Sequence, residues 1–382
     1  MAGRRAWVAV GLLLGVATLA RADWADDVAA ARRLYEQAKT PDQFQAAADM
    51  LQHALTVGVP RGRQADVYYW LGRARYGAKQ AAAAVDALSR AVAGDAQRPD
   101  YRLWLGLADQ LDDRATRCVK ALRLVYADAL TEPADRRMAH DVLTQLHEPP
   151  EAESLLPAAS LSVPGAVIRC APGDPFAADV REAVTVGRQR LADGLGLTLD
   201  EPVEVIVFPD RAAYQAYHEA RKAPRPEWST SCMGHGRIYT YPAGVGRDQL
   251  VSTLTHELTH VTVRAAAGDR PLPCWMDEGL AVLMSNQFPD CRRTVAKAPA
   301  LLSLEALEVP SFGEYDEQDA YLAYAQSRAM TEDLLAVYGP GRLRAFLAGL
   351  GGSRTLDQAF RDAFGTSRQA FFGWWFKERA RG

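Results

Sequence analysis

One short stretch combines residue types and a spacing that could hold a metal ion and activate a water molecule. It reads His256-Glu257-Leu258-Thr259-His260 and lies in a run with helical periodicity. On a helix, positions i and i+4 lie on one face, so His256 and His260 can present two imidazoles to one cation. Glu257 is rotated by about 100° and stays free to act on a water molecule. This arrangement predicts a zinc site with a glutamate as general base.

A third ligand is predicted in a second helical run, residues 275–281, which carries two adjacent carboxylates. Asp277 and Glu278 point about 100° apart on a helix, so only one of them can face the two histidines. Asp277 lies near the first turn, where a short carboxylate commonly caps free N–H groups. Glu278 has one more methylene and can reach a neighbouring helix. We therefore predict His256, His260 and Glu278 as the ligands of one Zn²⁺ per chain.

Together the two runs resemble the gluzincin metallopeptidases, and most closely the peptidase MA-like proteins. The resemblance covers about residues 164–377, and its specific motifs, His-Glu-x-x-His and Trp-x-x-Glu-Gly-x-Ala, are confined to residues 255–281. It implies a thermolysin-like zincin fold, polypeptide substrates, and a His-His-Glu zinc site with Glu278 as the third ligand. The exopeptidase motif of the aminopeptidases is not found before the His-Glu-x-x-His helix, and its absence favours an endopeptidase.

The resemblance also implies roles for residues outside the two motifs. In that family the strand before the motif helix is a sheet edge to which substrate backbone can add, whereas the alternative is a packed core strand. Carried onto this chain, that strand holds the predicted substrate-binding residues Gly236, Arg237, Ile238 and Tyr239. Tyr324, in a Tyr-Ala-Gln-Ser run that family members often carry, is assigned as a donor to the reaction's oxyanion. Tyr321 shares its helical face, and an aromatic core stripe is the alternative for both tyrosines.

Residues 165–382 are predicted to form this catalytic domain, an α+β fold with a small mixed sheet and a helical C-terminal lobe. Three apolar runs before the motif helix predict its strands, at 166–170, 203–208 and 236–241. Glycine and proline residues separate the helices predicted after the motif, at 318–338, 341–350, 355–364 and 367–379.

Residues 23–147 are rich in alanine and contain an internal repeat. The motif Trp-Leu-Gly occurs at 70–72 and again at 104–106, and this spacing of 34 residues is the period of tetratricopeptide repeats. The period predicts an all-α solenoid whose concave face binds a protein partner or, alternatively, only braces the catalytic domain. Cys118 falls where the previous repeat has alanine and is predicted to be a small core thiol. The proline-containing stretch 148–164 is predicted to be a linker.

Residues 1–22 have the pattern of a secretory signal peptide. Two arginines precede an apolar run of 14 residues, and Ala20-Arg21-Ala22 supplies a cleavage site before Asp23. An uncleaved anchor is the alternative, but 14 apolar residues are too few to span a bilayer comfortably. We therefore expect a bacterial periplasmic or secreted protein with no membrane span after cleavage.

Composition narrows the class of partner. The chain has 382 residues, a net charge of −3 and no polybasic segment, so nucleic acid is not an expected partner. Export permits disulfides, and the four cysteines of the catalytic half could form two bridges. They are Cys170, Cys232, Cys274 and Cys291, of which Cys274 and Cys291 are favoured as a pair by their proximity in sequence.

Two functions of different class follow from these features. The first is an exported zinc metallopeptidase, a function that depends on Glu257 as general base. The second is an envelope protein-binding scaffold of tetratricopeptide type whose zinc domain is weakly active or inactive. The intact Glu257 favours the first, because a chain without catalysis has no chemical need for the base.

Overall fold

The computed structural model describes residues 24–225, 229–352 and 354–378. The predicted signal peptide and its cleavage site lie outside the described residues. The fold is α+β as predicted, with helices alone up to residue 145, a small mixed sheet, and further helices after it. Within the described residues, no helix has the length and hydropathy needed to span a bilayer.

The described chain begins with an all-helical region that agrees with the predicted repeats. Its helices are α1 (Trp24–Gln37), α2 (Pro41–Val57), α3 (Arg61–Gly77), α4 (Ala81–Gly94), α5 (Pro99–Leu111), α6 (Ala115–Ala127) and α7 (Pro133–Gln145). Local signals set several boundaries. Thr40 and Gln43 form a capping box at the start of α2, which satisfies backbone N–H groups that the helix leaves free. Helices α2, α5 and α7 have proline in the first turn, where no N–H donor is needed.

The 34-residue period has a structural cause. A Cβ atom at Gly72 would lie 3.0 Å from Cδ2 of Leu88, and a Cβ atom at Gly106 would lie 3.0 Å from Cδ2 of Leu122. Each glycine therefore lets the two helices of a hairpin approach closely, at the same sequence offset in both repeats. Cys118 is fully buried in α6, in agreement with its prediction as a core thiol.

Five strands form one mixed sheet in the described residues: β1 (Ala159–Val163), β2 (Ala166–Cys170), β3 (Val203–Val207), β4 (Ser231–Gly234) and β5 (Arg237–Thr240). The order across the sheet is β1-β2-β3-β5-β4. Strands β2, β3 and β5 are parallel, and β1 and β4 pair antiparallel at the two edges. The predicted linker is structured, because residues 150–155 form a 3₁₀ helix and residues 159–163 are β1.

The remaining helices surround the sheet and build the C-terminal lobe. They are α8 (Ala177–Leu195), α9 (Arg211–Ala220), α10 (Arg247–Ala266), α11 (Cys274–Ser285), α12 (Cys291–Lys297), α13 (Leu304–Leu307), α14 (Glu317–Gly351), α15 (Leu356–Phe364) and α16 (Arg368–Glu378), with a 3₁₀ turn at Phe312–Glu314. Helix α14 is broken at Gly339, which has a φ of 76° and precedes Pro340. Glycine adopts this left-handed φ without strain, so two predicted helices follow each other across a kink.

The apolar core lies between one face of the sheet and the helices that carry the motifs. Side chains of β2, β3 and β5 pack there with α8, α10, α11 and both halves of α14. The opposite face is covered by aromatic residues of α9, including Tyr214 and Tyr217. Helix α10 packs mainly against α8 and α11 and also contacts β4, β5 and α14, and its motif face is directed toward α11.

The favoured disulfide between Cys274 and Cys291 is not present. All five cysteines are free and buried thiols. Cys274 begins α11 and Cys291 begins α12, so the twelve residues of α11, about 18 Å of helical rise, lie between them. Proximity in sequence was a poor guide here because most of the intervening segment is helix α11, and the loop 286–290 does not bring the two cysteines together.

Polar contacts join the helical region to the loop between α10 and α11 and to the end of α14. The buried Arg114 guanidinium donates to the backbone oxygens of Gly268, at 3.3 Å, and Gly351, at 3.4 Å. The side chain of Arg270 pairs with Asp112 at 2.7 Å. We call Asp112, Arg114 and Arg270 the interdomain clamp. It fixes the end of α10 relative to the helical region.

Candidate metal centre

Three predicted ligands converge from two helices. His256 and His260 lie one turn apart on α10, and their Nε2 atoms are 3.1 Å apart. Glu278 of α11 directs Oε2 to within 3.4 Å of His256 Nε2 and 3.6 Å of His260 Nε2. These are the His/Cys/Asp/Glu side chains that form a potential metal-binding group within the described residues.

The spacing of these donors suits a zinc ion. Donor atoms held about 2.1 Å from one zinc at tetrahedral angles lie about 3.4 Å apart, close to the three distances found here. Oε2 of Glu278 is buried and yet makes no hydrogen bond, as expected of an atom whose partner is a cation. His260 is buried whereas His256 and Glu278 are partly exposed, so the site opens to solvent on one side. An open side is characteristic of catalytic rather than structural zinc sites.

The electrostatics of the cluster also favour a cation. Burial by itself would lower the pKa of His260, but the carboxylates of Asp277 and Glu278 outweigh it and raise that pKa to about 10. Burial would raise the pKa of Glu278, but the imidazoles of His260 and His256 hold it below its usual value. The carboxylates therefore stay ionised and attract positive charge to the imidazole nitrogens.

Asp277 has a role that the sequence analysis missed. Its Oδ1 accepts a hydrogen bond from Nδ1 of His260 at 3.0 Å, and its Oδ2 lies 3.5 Å from the Arg264 guanidinium. The predicted role as a helix cap is wrong, because the side chain is buried against α10. A carboxylate on Nδ1 fixes the orientation and tautomer of a histidine that binds metal through Nε2. The sequence did show an acidic residue next to the predicted ligand. The direction of the Asp277 side chain, however, depends on how α11 packs against α10.

Gly279 explains how α11 brings Glu278 to the two histidines. A Cβ atom at Gly279 would clash with Oγ1 of Thr331 and with the backbone oxygen of Ser327, and would lie 2.9 Å from the Ser327 carbonyl carbon. The backbone of α11 therefore lies directly against both backbone and side-chain atoms of α14 at this point, which only glycine permits. The close contact between the two helices explains why glycine follows Glu278 in the sequence.

The match to known families supports the same site. A family model of the Peptidase MA superfamily matches residues 183–376, just over half of the chain. The chain belongs to the Peptidase MA superfamily. Members of this superfamily are generally metal-dependent, and the matched segment includes the three helices α10, α11 and α14. The chain matches no curated protein.

In this Peptidase MA domain the predicted general base lies beside the metal cluster. Glu257 is buried, and burial raises the pKa of its carboxyl, an effect that the His256 and His260 imidazoles oppose. A carboxylate whose pKa is raised toward neutrality is a better proton acceptor at neutral pH. The charge of Glu278 contributes to the raised pKa of Glu257, as expected of two carboxyls that lie near each other.

The structure separates the two candidate tyrosines. Tyr324 packs between the rings of Phe288 and Phe312, with centroids 5.6 and 5.4 Å away. Burial raises the pKa of Tyr324, and the charges of Glu278 and Glu257 contribute to the rise. Tyr324 therefore lies within electrostatic range of the metal cluster. Tyr321, in contrast, is 46% exposed and contacts the outer side of Phe288.

The predicted substrate strand is not a sheet edge. Strand β5 pairs with β3 on one side and β4 on the other, so its backbone cannot accept a substrate strand. Its side chains have structural partners: Arg237 pairs with Glu204, Ile238 is buried in the core, and the Tyr239 hydroxyl lies 3.4 Å from that of Tyr217. Sequence order misled the assignment, because β5 comes last before α10 but inserts between two earlier strands.

Gly236 also has a structural role. It lies in the β4–β5 turn with a φ of 78°, and a Cβ atom there would lie 2.8 Å from Cγ2 of Thr116 in α6. Glycine is required by both the backbone conformation and the close approach. Within the described residues, the sheet edge next to α10 is instead β4, at Ser231–Gly234.

Proposed function

We propose that the chain is an exported zinc-dependent endopeptidase. The observation that supports this most strongly is the triangle formed by His256, His260 and Glu278, with donor distances suited to zinc and with Glu257 beside it. A zinc ion held by these three side chains supplies Lewis acidity, which activates water and polarises a carbonyl group.

The protein's own residues then account for orientation and proton transfer. Asp277 holds the His260 ring so that Nε2 faces the cluster. Glu257 accepts a proton from the attacking water and returns it to the nitrogen of the leaving amine, so one carboxyl serves as base and then as acid. The Tyr324 hydroxyl, kept protonated by its raised pKa, donates a hydrogen bond to the developing oxyanion.

The sheet edge suggests how a polypeptide would be held. Strand β4 is antiparallel to β5 and has no second partner strand within the described residues. An extended substrate can add to such an edge through main-chain hydrogen bonds, which select for a peptide backbone rather than for particular side chains. We therefore transfer the proposed backbone-binding role from β5 to β4.

The test is hydrolysis of an unfolded polypeptide by the purified protein, with zinc content measured in parallel. Glu257→Gln is expected to retain one zinc per chain and to reduce hydrolysis by about 100-fold or more, because only the proton acceptor is lost. Glu305→Gln, at an exposed position in α13, serves as the matched control and should match the unmodified protein.

Three outcomes would separate the alternatives. Loss of activity on chelation and its return with zinc support the peptidase. A fully zinc-loaded protein that cleaves nothing would favour the scaffold function instead. Fragments cut within a peptide library identify an endopeptidase, whereas stepwise removal of terminal residues identifies an exopeptidase.

Export is the part of the proposal that depends on sequence alone. The leader-like residues 1–22 support it, and the protein isolated from its native cell should begin at Asp23. Mass spectrometry of the intact exported protein measures this directly. A product that retains residues 1–22 in the membrane would contradict it.

A further inference from the structure

A cavity of about 340 Å³ lies on the inner face of the helical region, away from the metal cluster. It is bounded by α1, α3 and the start of α5, the helices that come first in each hairpin. We call it the inner groove and define it by Trp24, Arg32, Arg63, Trp70, Arg73 and Arg98. Its volume is within the range of sites that bind ligands.

Arg73 is held in the groove by aromatic rings rather than by a carboxylate. Its guanidinium carbon lies 4.4 Å from the ring centroid of Trp104, 4.6 Å from that of Trp70 and 4.9 Å from that of Tyr35. One terminal nitrogen donates to the Tyr69 hydroxyl at 3.1 Å, whereas the buried Nε makes no hydrogen bond. Stacking fixes the plane of the guanidinium and leaves in-plane donors for a ligand.

The charges in the groove are incompletely balanced. Arg98 pairs with both Asp100, at 2.7 Å, and Asp66, at 3.8 Å. Three arginines have no carboxylate partner within 4 Å in the part of the chain that the structure describes: Arg32, Arg63 and Arg73. Asp135 of α7 influences Arg73 at longer range, but four arginines still exceed three carboxylates. The groove is therefore positive although the whole chain has a net charge of −3.

The distance between the arginines indicates how long the ligand must be. Arg63 and Arg73 are ten residues apart on α3, which corresponds to about 15 Å along the helix, so one carboxylate cannot contact both. An extended peptide covers the same distance with about five residues. Several carboxylates on one short segment would satisfy these arginines, while the indole ring of Trp24 offers apolar surface to the intervening side chains.

We propose that the inner groove binds an acidic segment of another polypeptide, with two or more Asp or Glu side chains spaced along about five residues. A nucleic acid is a poorer match, because the net negative charge of the chain repels a long polyanion. The chain's own residues 1–23 are also a poor match, because they contain three arginines and a single aspartate.

Binding can be measured without turnover by fluorescence anisotropy of labelled peptides on the full chain carrying Glu257→Gln. An amidated peptide with alternating glutamates is expected to bind, and the same peptide with glutamines to bind at least tenfold more weakly. Affinity for the acidic peptide should fall as salt increases, because exposed charges dominate the contact.

Exposed arginines provide a matched pair of variants. The double variant Arg32→Glu/Arg63→Glu reverses two groove charges and should lower the affinity for the acidic peptide by about tenfold or more. The double variant Arg33→Glu/Arg61→Glu makes the same change in net charge at neighbouring exposed positions that do not line the groove, and should bind almost normally. All four side chains are exposed, and that of Arg32 also lies over the Trp70 ring at 4.5 Å, so thermal unfolding of both double variants is measured to check that they fold alike.

Each contrary result overturns the inference. Equal weakening by both double variants would show a general charge effect, and equal binding of the glutamine peptide would show that carboxylates are not recognised. Dependence on a free C-terminus alone would identify a chain-end site, and tighter binding of an oligonucleotide would identify a different class of partner. Because hydrolysis plays no part in the measurement, failure of the proposed peptidase function would leave this test unaffected.

Discussion

Replacing Gly279 by alanine is expected to remove the metal site while most of the fold is retained. The added Cβ atom would lie 2.9 Å from the carbonyl carbon of Ser327 and closer still to two oxygens. Ordinary carbon contacts begin at about 3.4 Å, so α11 must retreat from α14 by at least about half an ångström. Ligand distances at a zinc site tolerate deviations of about 0.2 Å, and Glu278 is the adjacent residue.

The expected loss of stability can be estimated from the same contact. Overpacking of a core commonly costs about 1–3 kcal/mol, and the upper part of this range applies because backbone atoms are involved. Alanine in place of glycine within a helix offsets about 0.5–1 kcal/mol of this. A net loss of about 2 kcal/mol lowers the melting temperature of a domain of this size by about 4–8 °C.

The assay combines metal analysis by mass spectrometry with thermal unfolding. Gly279→Ala should lose stoichiometric zinc after dialysis, whereas Gly373→Ala in α16, where a Cβ atom meets no atom within 4 Å, should retain it. Adding Thr331→Ala to Gly279→Ala should not restore zinc, because the Ser327 carbonyl remains in the way. Full zinc content and an unchanged melting temperature in Gly279→Ala would refute the reasoning.

Three further predictions concern other parts of the molecule. Asp277→Asn should weaken zinc binding by about 10- to 100-fold in a chelator competition, because the ring of His260 loses its carboxylate partner; unchanged affinity would exclude this role. Arg114→Met should lower the unfolding free energy by about 1–3 kcal/mol in urea titrations, since two backbone oxygens lose a donor; no change would show that the interdomain clamp is dispensable. Burial lowers the pKa of His218 to about 3 from 6.5, so the unfolded state takes up the proton first. Stability should fall by up to about 1.4 kcal/mol per pH unit as pH drops below about 6.5, and less in His218→Gln; identical pH profiles would contradict it.

The sequence predicted those features that depend on local periodicity. The i, i+4 spacing of His256 and His260 and the 34-residue repeat each follow from a helical geometry that no distant contact needs to establish. The choice of Glu278 combined side-chain length with family resemblance, and the structure places its carboxylate with the two imidazoles. The physical cause of this position is the close packing at Gly279. That packing depends on contacts with α14, which the local sequence does not reveal.

The errors arose where pairing between distant segments decides the outcome. The short segment Ser231–Gly234, which reads Ser-Cys-Met-Gly, has little β propensity, and it becomes a strand because β5 pairs with it. Without β4, β5 looks like the last strand and hence the edge. Asp277 was misjudged for a related reason, since its environment is created by α10 rather than by its own helix.

The contacts of α6 suggest why the helical region is attached to the peptidase domain at this place. The first turn of α6 reaches the loop after α10, where the Arg117 backbone N–H donates to Asp269 Oδ2 at 3.0 Å. Thr116, which directly precedes Arg117 in the same turn, packs against Gly236 of the β4–β5 hairpin. One helix therefore supports both the loop that joins the ligand-bearing helices and the hairpin that presents the free sheet edge. Because α6 contacts both the hairpin and the loop, it stabilises the position of the edge strand relative to the predicted metal ligands. We infer that the helical region supports the arrangement of the predicted metal ligands and the edge strand, which is the bracing role that the sequence left open for it.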